Sequence, residues 1–291
     1  MRRLWIVLGV VVSSLGLSAC GAKATLSQGV ASLGASPDLQ LHVSATASGA
    51  GSAQTSTILK ELSVDLRYSS ATGAALSQSA NAVNAEIVVN VKGSALVDLR
   101  VIDSNVYAKF DLTGLSSIPG TSISPAQLAG AQLIFGGRWF EVPKSLLSTF
   151  VKTPSAAQQA QAAANVAVAR KVLDALTKVI DTAPYTTLPG GGYSETGTLE
   201  SIVTAIAPTL VGITHAPAPS NVQGHYTISF TLSGSDVSGG SISITAPNGT
   251  KGDMTATLSA TVTHDATSVD VPTGATIITP SLLKGLGLGA G

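Results

Sequence analysis

From Leu39 onward one pattern dominates the chain: apolar and polar residues change places at every second position. Leu39, Leu41, Val43 and Ala45 fall on one side, with Gln40, His42, Ser44 and Thr46 on the other. The alternation returns in Leu62, Val64, Leu66 and Tyr68, and in Ile87, Val89 and Val91, although Val88 breaks the polar side. Ala95, Val97, Leu99 and Val101 continue it against Asp98 and Arg100. Residues 226–232, 242–246 and 254–262 repeat it most cleanly, with Ser and Thr between the apolar positions. A period of two sends successive side chains to opposite faces, so these are strands with one packed face and one wet face. β-Branched hydroxyl residues suit a solvated pleat.

The connections fit the same reading. Asp103-Ser104-Asn105 predicts a hairpin turn that returns VYAKFD (106–111) beside ALVDLRVI (95–102). QLIFGGRWFEV (132–142) predicts a further aromatic strand pair around Gly136 and Gly137. The sum is about nine or ten antiparallel strands.

The middle of the chain follows another period. Between 155 and 181, Val166, Val168, Ala169, Val172, Leu173, Leu176, Val179 and Ile180 share one arc of a helix. Arg170, Lys171, Asp174, Lys178 and Asp181 take the opposite arc. Pro154 and Ser155 mark its start, and Pro184 prevents much continuation. A second helix is expected over 198–207, stopped by Pro208. The glycine-rich LPGGGYSETG (188–197) between them reads as a flexible link, or as a hinge over a cavity. A helix with a wide apolar face must bury it. An apolar sheet face is available to receive it, which gives an α+β layered fold.

The N-terminus has the three-part grammar of a secretory leader: Arg2 and Arg3, an apolar run from Leu4 to Leu17, then small residues before a cysteine. Residues 1–19 are therefore expected to be removed, leaving about 270 residues for one large domain or two small ones. Cys20 is the only cysteine, so no intrachain disulfide can form. Leu17-Ser18-Ala19-Cys20 resembles the bacterial lipobox, in which the thiol is alkylated by a diacylglyceryl group before cleavage. Several acyl chains then hold the protein durably, at about 0.8 kcal/mol for each buried methylene. The expected location is the outer face of the cytoplasmic membrane, in the cell envelope. Residues 20–38, rich in Gly, Ala and Ser, read as the lipidated cysteine followed by a flexible tether or a loose helical turn. Residues 39–280 form the domain and 281–291 a C-terminal tail. A division into two sub-sheets near residue 185 is the alternative.

This layout resembles the mycobacterial LppX/LprG lipoprotein family (LppX, LprA, LprF and LprG). The likeness rests on the lipobox at Cys20, the hairpin LRVIDSNVYAKFDL (99–112), the aromatic GGRWFEVPKSLL (136–147), and VDVPTGATIITP (269–280), which looks like a closing strand. The resemblance covers most of the mature chain in order through short motifs. This chain is longer, with an Ala-rich helix and a Gly-rich break that the family pattern does not require. The resemblance implies a curved antiparallel half-barrel with helices packed on its concave apolar face, enclosing a cavity for acylated lipids or glycolipids. On that basis Val101, Tyr107, Phe110, Phe135, Trp139, Val172, Leu176, Ile228 and Phe230 would line the cavity. Read from the residues alone, Phe135, Trp139 and Phe140 fit core packing better than a pocket lining.

Other chemistry finds little support. Acidic and basic residues balance at 16 each, and 11% charged residues leave no basic footprint for nucleic acid. His42, His215, His225 and His264 lack metal-ligand spacing, and no metal or cofactor is expected. Ser281 to Lys284 matches S-x-x-K but lacks the K-T-G and S-D-N partners of a penicillin-binding enzyme. Asn248-Gly249 reads first as a turn. No enzyme is expected. The leading reading is a lipid carrier without catalytic chemistry, whose partner transporter, if any, is not encoded here. The alternative is a structural or interaction lipoprotein with a packed core and no lipid ligand.

Overall fold

The computed structural model describes residues 22–49, 53–79, 82–113, 124, 129, 132, 133, 135–143, 164, 167, 168, 171, 174, 175, 185–189, 191–214, 221–248, 252–279 and 281. Among the described residues, twelve strands make one open, mixed sheet: β1 (Asp38–Gly49), β2 (Leu62–Ser70), β3 (Val83–Val91), β4 (Ser94–Ile102), β5 (Asn105–Phe110), β6 (Trp139–Val142), β7 (Thr186–Thr187), β8 (Tyr193–Thr198), β9 (His225–Ser233), β10 (Asp236–Pro247), β11 (Asp253–His264) and β12 (Thr276–Ile277). Their order is β12-β6-β5-β4-β3-β2-β1-β11-β10-β9-β8-β7. Helices α1 (Ala22–Ala35), α2 (Ala53–Glu61) and α3 (Leu199–Thr214) accompany them.

The chain gathers into two compact units. One holds 37–43, 58–154 and 264–291, with β2 to β6 and β12; the other holds 1–36, 44–57 and 155–263, with β7 to β11, α1 and α3. They are called here the ionic unit and the hydroxyl unit, after their polar faces. β1 contributes its first half to the former and its second half to the latter.

Turn chemistry fixes the registers. Asp103 and Ser104 both have positive φ (48° and 70°), so Ile102 pairs with Asn105 across a two-residue turn, as expected. Lys92 and Gly93 do the same between β3 and β4, at 52° and 77°. The glycine-rich break is not a link between helices: it turns the β7–β8 hairpin, with Leu188 N donating to Gly192 O at 3.1 Å. Gly192 sits at φ 116°, and a Cβ there would strike Phe230 O.

Other expectations are corrected. Gln132, Leu133 and Phe135 are helical, so only the WFEV half of the aromatic motif is a strand. Gly136 N closes that turn onto Gln132 O, and Gly137 at φ 68° ends it. The sheet is not wholly antiparallel, because β12 runs parallel to β6. Among the described residues of the motif read as a closing strand, Thr276 and Ile277 alone form strand pairs. α3 continues past Pro208 to Thr214. Proline deprives the Thr204 carbonyl of its donor, but both residues are exposed, where water can take that bond. Thr198 Oγ1 caps the start of α3 by accepting from Ser201 N at 3.2 Å.

Residues 22–35, assigned above to a tether or loose turn, form the 14-residue α1. Its Gly29 lies so close to β10 that a Cβ would sit 3.0 Å from Val237 Cγ2 and 3.1 Å from Ser235 O. Leu33, Phe230, Leu232 and Val262 pack around buried Val237. A helix rich in small residues can approach a sheet this closely. The leader, Cys20 and the lipobox lie outside the described residues, as does most of the long helix expected over 155–181. Ala164, Ala167, Val168, Lys171, Asp174 and Ala175 are described there, and each is helical.

Candidate functional site

Strand register sorts the side chains of the ionic unit onto two faces. Across β2 to β6, Arg67, Glu86, Arg100, Tyr107 and Glu141 lie opposite one another in succession on one face. The next row is Asp65, Val88, Asp98, Lys109 and Trp139. The other face is aliphatic: Val64, Val89 and Val97 form one row with Phe110, and Leu66, Ile87 and Leu99 another with Ala108 and Phe140.

Burial is not confined to the aliphatic face. Glu86 is 2% exposed, and Ser69, Val88, Ile102 and Tyr107 on its face are also buried. Residues 265–275 account for part of this cover. Val269 N donates to Ser69 Oγ at 3.0 Å, and Arg100 Nη1 donates to Asp270 O at 3.0 Å. The Val269 side chain packs with Ile102, Tyr107, Trp139 and Ala275.

Glu86 stands between two guanidiniums, with Arg100 Nε 2.7 Å from Oε1 and Arg67 Nε 2.9 Å from Oε2. Neither N–H points well at its oxygen, so these are close ion pairs rather than good hydrogen bonds. Burial pushes the Glu86 carboxyl up, and neighbouring Asp98 pushes it further; Arg100 and Arg67 oppose this only in part. Arg100 also reaches Asp98 at 3.4 Å and stacks 4.6 Å from the Trp139 ring. His42 Nδ1 lies 2.7 Å from Asp65 Oδ1, and Asn90 donates to Asp65 Oδ2 at 2.6 Å. The His42 side chain remains 45% exposed, on the wet face expected for it, while making this pair.

The aliphatic face is not fully covered. Val64, Leu66, Ile87, Val89, Val97, Leu99, Val101 and Val106 are all half-buried. Of this face's residues on β5 and β6, Ala108 and Phe140 are fully buried, beside a ring cluster. In that cluster Phe135 meets Phe110 at 6.3 Å and Phe140 at 5.7 Å, both edge to face. Tyr68, on the same face, has its phenol pushed up by burial.

The nine residues suggested as cavity lining are therefore not all together. Val101 and Phe110 are on the aliphatic face, with Phe135 against Phe110. Tyr107 and Trp139 point to the opposite face and pack with Val269. Ile228 and Phe230 belong to the hydroxyl unit, Phe230 in the cluster with Leu33. Val172 and Leu176 lie outside the described residues. The one signal for the ionic face was the clustering of Arg67, Glu86, Asp98 and Arg100 at matching strand positions.

In the hydroxyl unit, register gives four-strand rows of Ser194, Ser229, Ser241 and Ser259, then Thr196, Thr227, Ser243 and Thr257. Facing hydroxyls meet at 3.1 Å for Ser194–Ser229 and 2.8 Å for Ser243–Thr257. On the apolar face Tyr226 donates to Glu195 at 2.6 Å, and each is 1% exposed. Burial, then the Glu195 bond, pushes the Tyr226 phenol far above its ordinary value.

Among the described residues no group of three or more His, Cys, Asp or Glu could hold a metal ion, and no helix is long and apolar enough to cross a membrane. No protein-family model matches the chain, and no curated protein matches it either.

Proposed function

We propose that this chain is a lipid-anchored envelope protein that takes acyl chains onto the aliphatic face of its ionic unit and performs no catalysis. The observation that carries the reading is the incompletely covered surface of Leu66, Ile87, Leu99 and Val101, on a sheet whose opposite face buries Glu86, Ile102 and Tyr107. A sheet folded only for stability would be expected to cover its aliphatic rows first. Each methylene withdrawn from water onto that face contributes about 0.8 kcal/mol, so a long acyl chain suffices for stable binding. A head group would remain at the margin, where Tyr68 offers a phenol.

In the finer picture the sheet curves and helices close over its concave apolar face as a half-barrel, as in the LppX/LprG family. The lipobox at Cys20 supports cleavage, acylation and residence outside the cytoplasmic membrane. Metabolic labelling with an alkyne palmitate tests the anchor, since Cys20→Ser should abolish incorporation.

Native mass spectrometry tests the carrier. Residues 20–291 with Cys20→Ser, purified without detergent, should carry lipid near one per chain that solvent extraction releases. A clean apo mass under the same mild conditions, with no uptake of added lipid, would overturn it.

A further inference from the structure

We propose that a second apolar surface, the strip formed by Ile242, Ile244 and Leu258 on β10 and β11, rests directly on the bilayer and fixes how the anchored protein stands. The proposal relies on the Cys20 anchor but not on the carrier activity.

The three side chains are 46%, 43% and 50% exposed, whereas most of the other described aliphatic residues are buried at least by half. Ile242 faces Leu258 directly across the two strands, and Ile244 is the next residue along on the same face. Gly240, Ala246, Met254, Ala256 and Ala260 fill the remaining positions between them. That stretch of sheet carries no ionisable side chain on this face. The nearest carboxylate along the row, Glu195 opposite Ile228, is buried and bonded to Tyr226. The reverse face carries the hydroxyl rows. The sheet is thus apolar on one side and uncharged but polar on the other, the arrangement an interfacial element needs.

The occupant follows from the anchor. A single residue, Gly21, separates Cys20 from the first residue of α1. α1 packs on this same face, with Gly29 and Leu33 against Val237. Ile242 lies five residues from Val237 along β10, roughly 17 Å of strand. Acyl chains on Cys20 therefore tie the membrane to the face that carries the strip, through a rigid helix of about 21 Å rather than a long loose linker. A bilayer accepts Ile and Leu without a matching surface; a second copy of the chain would have to supply one.

Acylation itself provides the test. With Cys20 blocked by lipid, a cysteine introduced elsewhere is the only free thiol. The full lipidated chain carrying Leu258→Cys or Ser259→Cys is labelled with an environment-sensitive fluorophore. It is then reconstituted in phosphatidylcholine vesicles with doxyl groups on the acyl tails. Residues 258 and 259 are adjacent but on opposite faces. The proposal requires blue-shifted emission at 258, quenched several-fold more strongly by the doxyl tails than at 259. Equal, water-like emission at both positions overturns it. So does a blue shift at 258 without tail quenching, which would mark a second copy as the occupant. Label on the parent chain would instead reveal an unacylated Cys20, a failure of the anchor that is read separately.

Discussion

The two units are built from the same alternation and use it differently. In the hydroxyl unit the polar face is a lattice of serines and threonines at 2.8–3.1 Å. These groups satisfy one another or water at little cost. In the ionic unit the equivalent face carries two arginines, one lysine and four acids in adjacent rows, and a segment from the far end of the chain lies over it. Removing paired charges from water costs several kcal/mol per ion, which the pairing must offset. Alternation thus makes two faces, but side-chain chemistry and later chain segments decide which is covered.

If that contrast is right, the largest loss should come from the ionic face. Arg100→Ala strips Glu86, Asp98, Trp139 and the Asp270 carbonyl of one shared partner and leaves a buried carboxylate exposed to repulsion from Asp98. Urea denaturation should register a loss of about 3–5 kcal/mol. An effect within experimental error would mean that the network is merely a solvated cluster.

Tyr226→Phe should come next. It leaves Glu195 without its 2.6 Å donor inside the apolar face of the hydroxyl unit. A loss of about 1–3 kcal/mol is expected from the same denaturation measurement.

The charge of Glu86 sharpens the contrast through pH. Its carboxyl is raised above the ordinary 4.5 in the folded chain, so the folded state holds that proton more tightly than the unfolded state. The resulting stabilisation is complete below the ordinary value and is lost as pH rises through the raised one. Urea midpoints of the parent should therefore fall across that window relative to those of Glu86→Gln, which cannot titrate. Parallel curves would remove burial as the dominant influence on Glu86.

Smallest of all should be Ser243→Ala. It removes one hydroxyl from a part-buried pair whose other member, Thr257, keeps a rotatable hydroxyl, and the thermal midpoint should move by no more than about 1 kcal/mol implies. A large shift would make the hydroxyl rows structural rather than solvated.

Much of this architecture could be read from residues alone. The alternating runs locate β1 to β5 and β9 to β11, and Asp103-Ser104 announces its own turn. Three features were hidden for physical reasons. α1 has the Gly, Ala and Ser content of a linker, yet its small residues are what admit it so close to Val237 and Ser235. The 265–275 segment has no period, because it is held by side chains and carbonyls of distant strands rather than by pairing. Tyr107 and Trp139 look like pocket residues by type, but their register places them with Arg100 and Val269. Composition identifies an apolar residue; only register identifies its face.

The central claim is that acyl chains lie along the aliphatic rows of the ionic unit, and residue-level photolabelling tests it most directly. A fatty acid bearing a diazirine near its tail is bound to the mature chain and irradiated, and the adducts are mapped by fragmentation. The account predicts adducts on Leu66, Ile87, Leu99 and Val101, with their alternate neighbours Arg67, Glu86 and Arg100 unmodified. Adducts spread equally over both faces, or none on these four residues when the ligand is in excess, would contradict it.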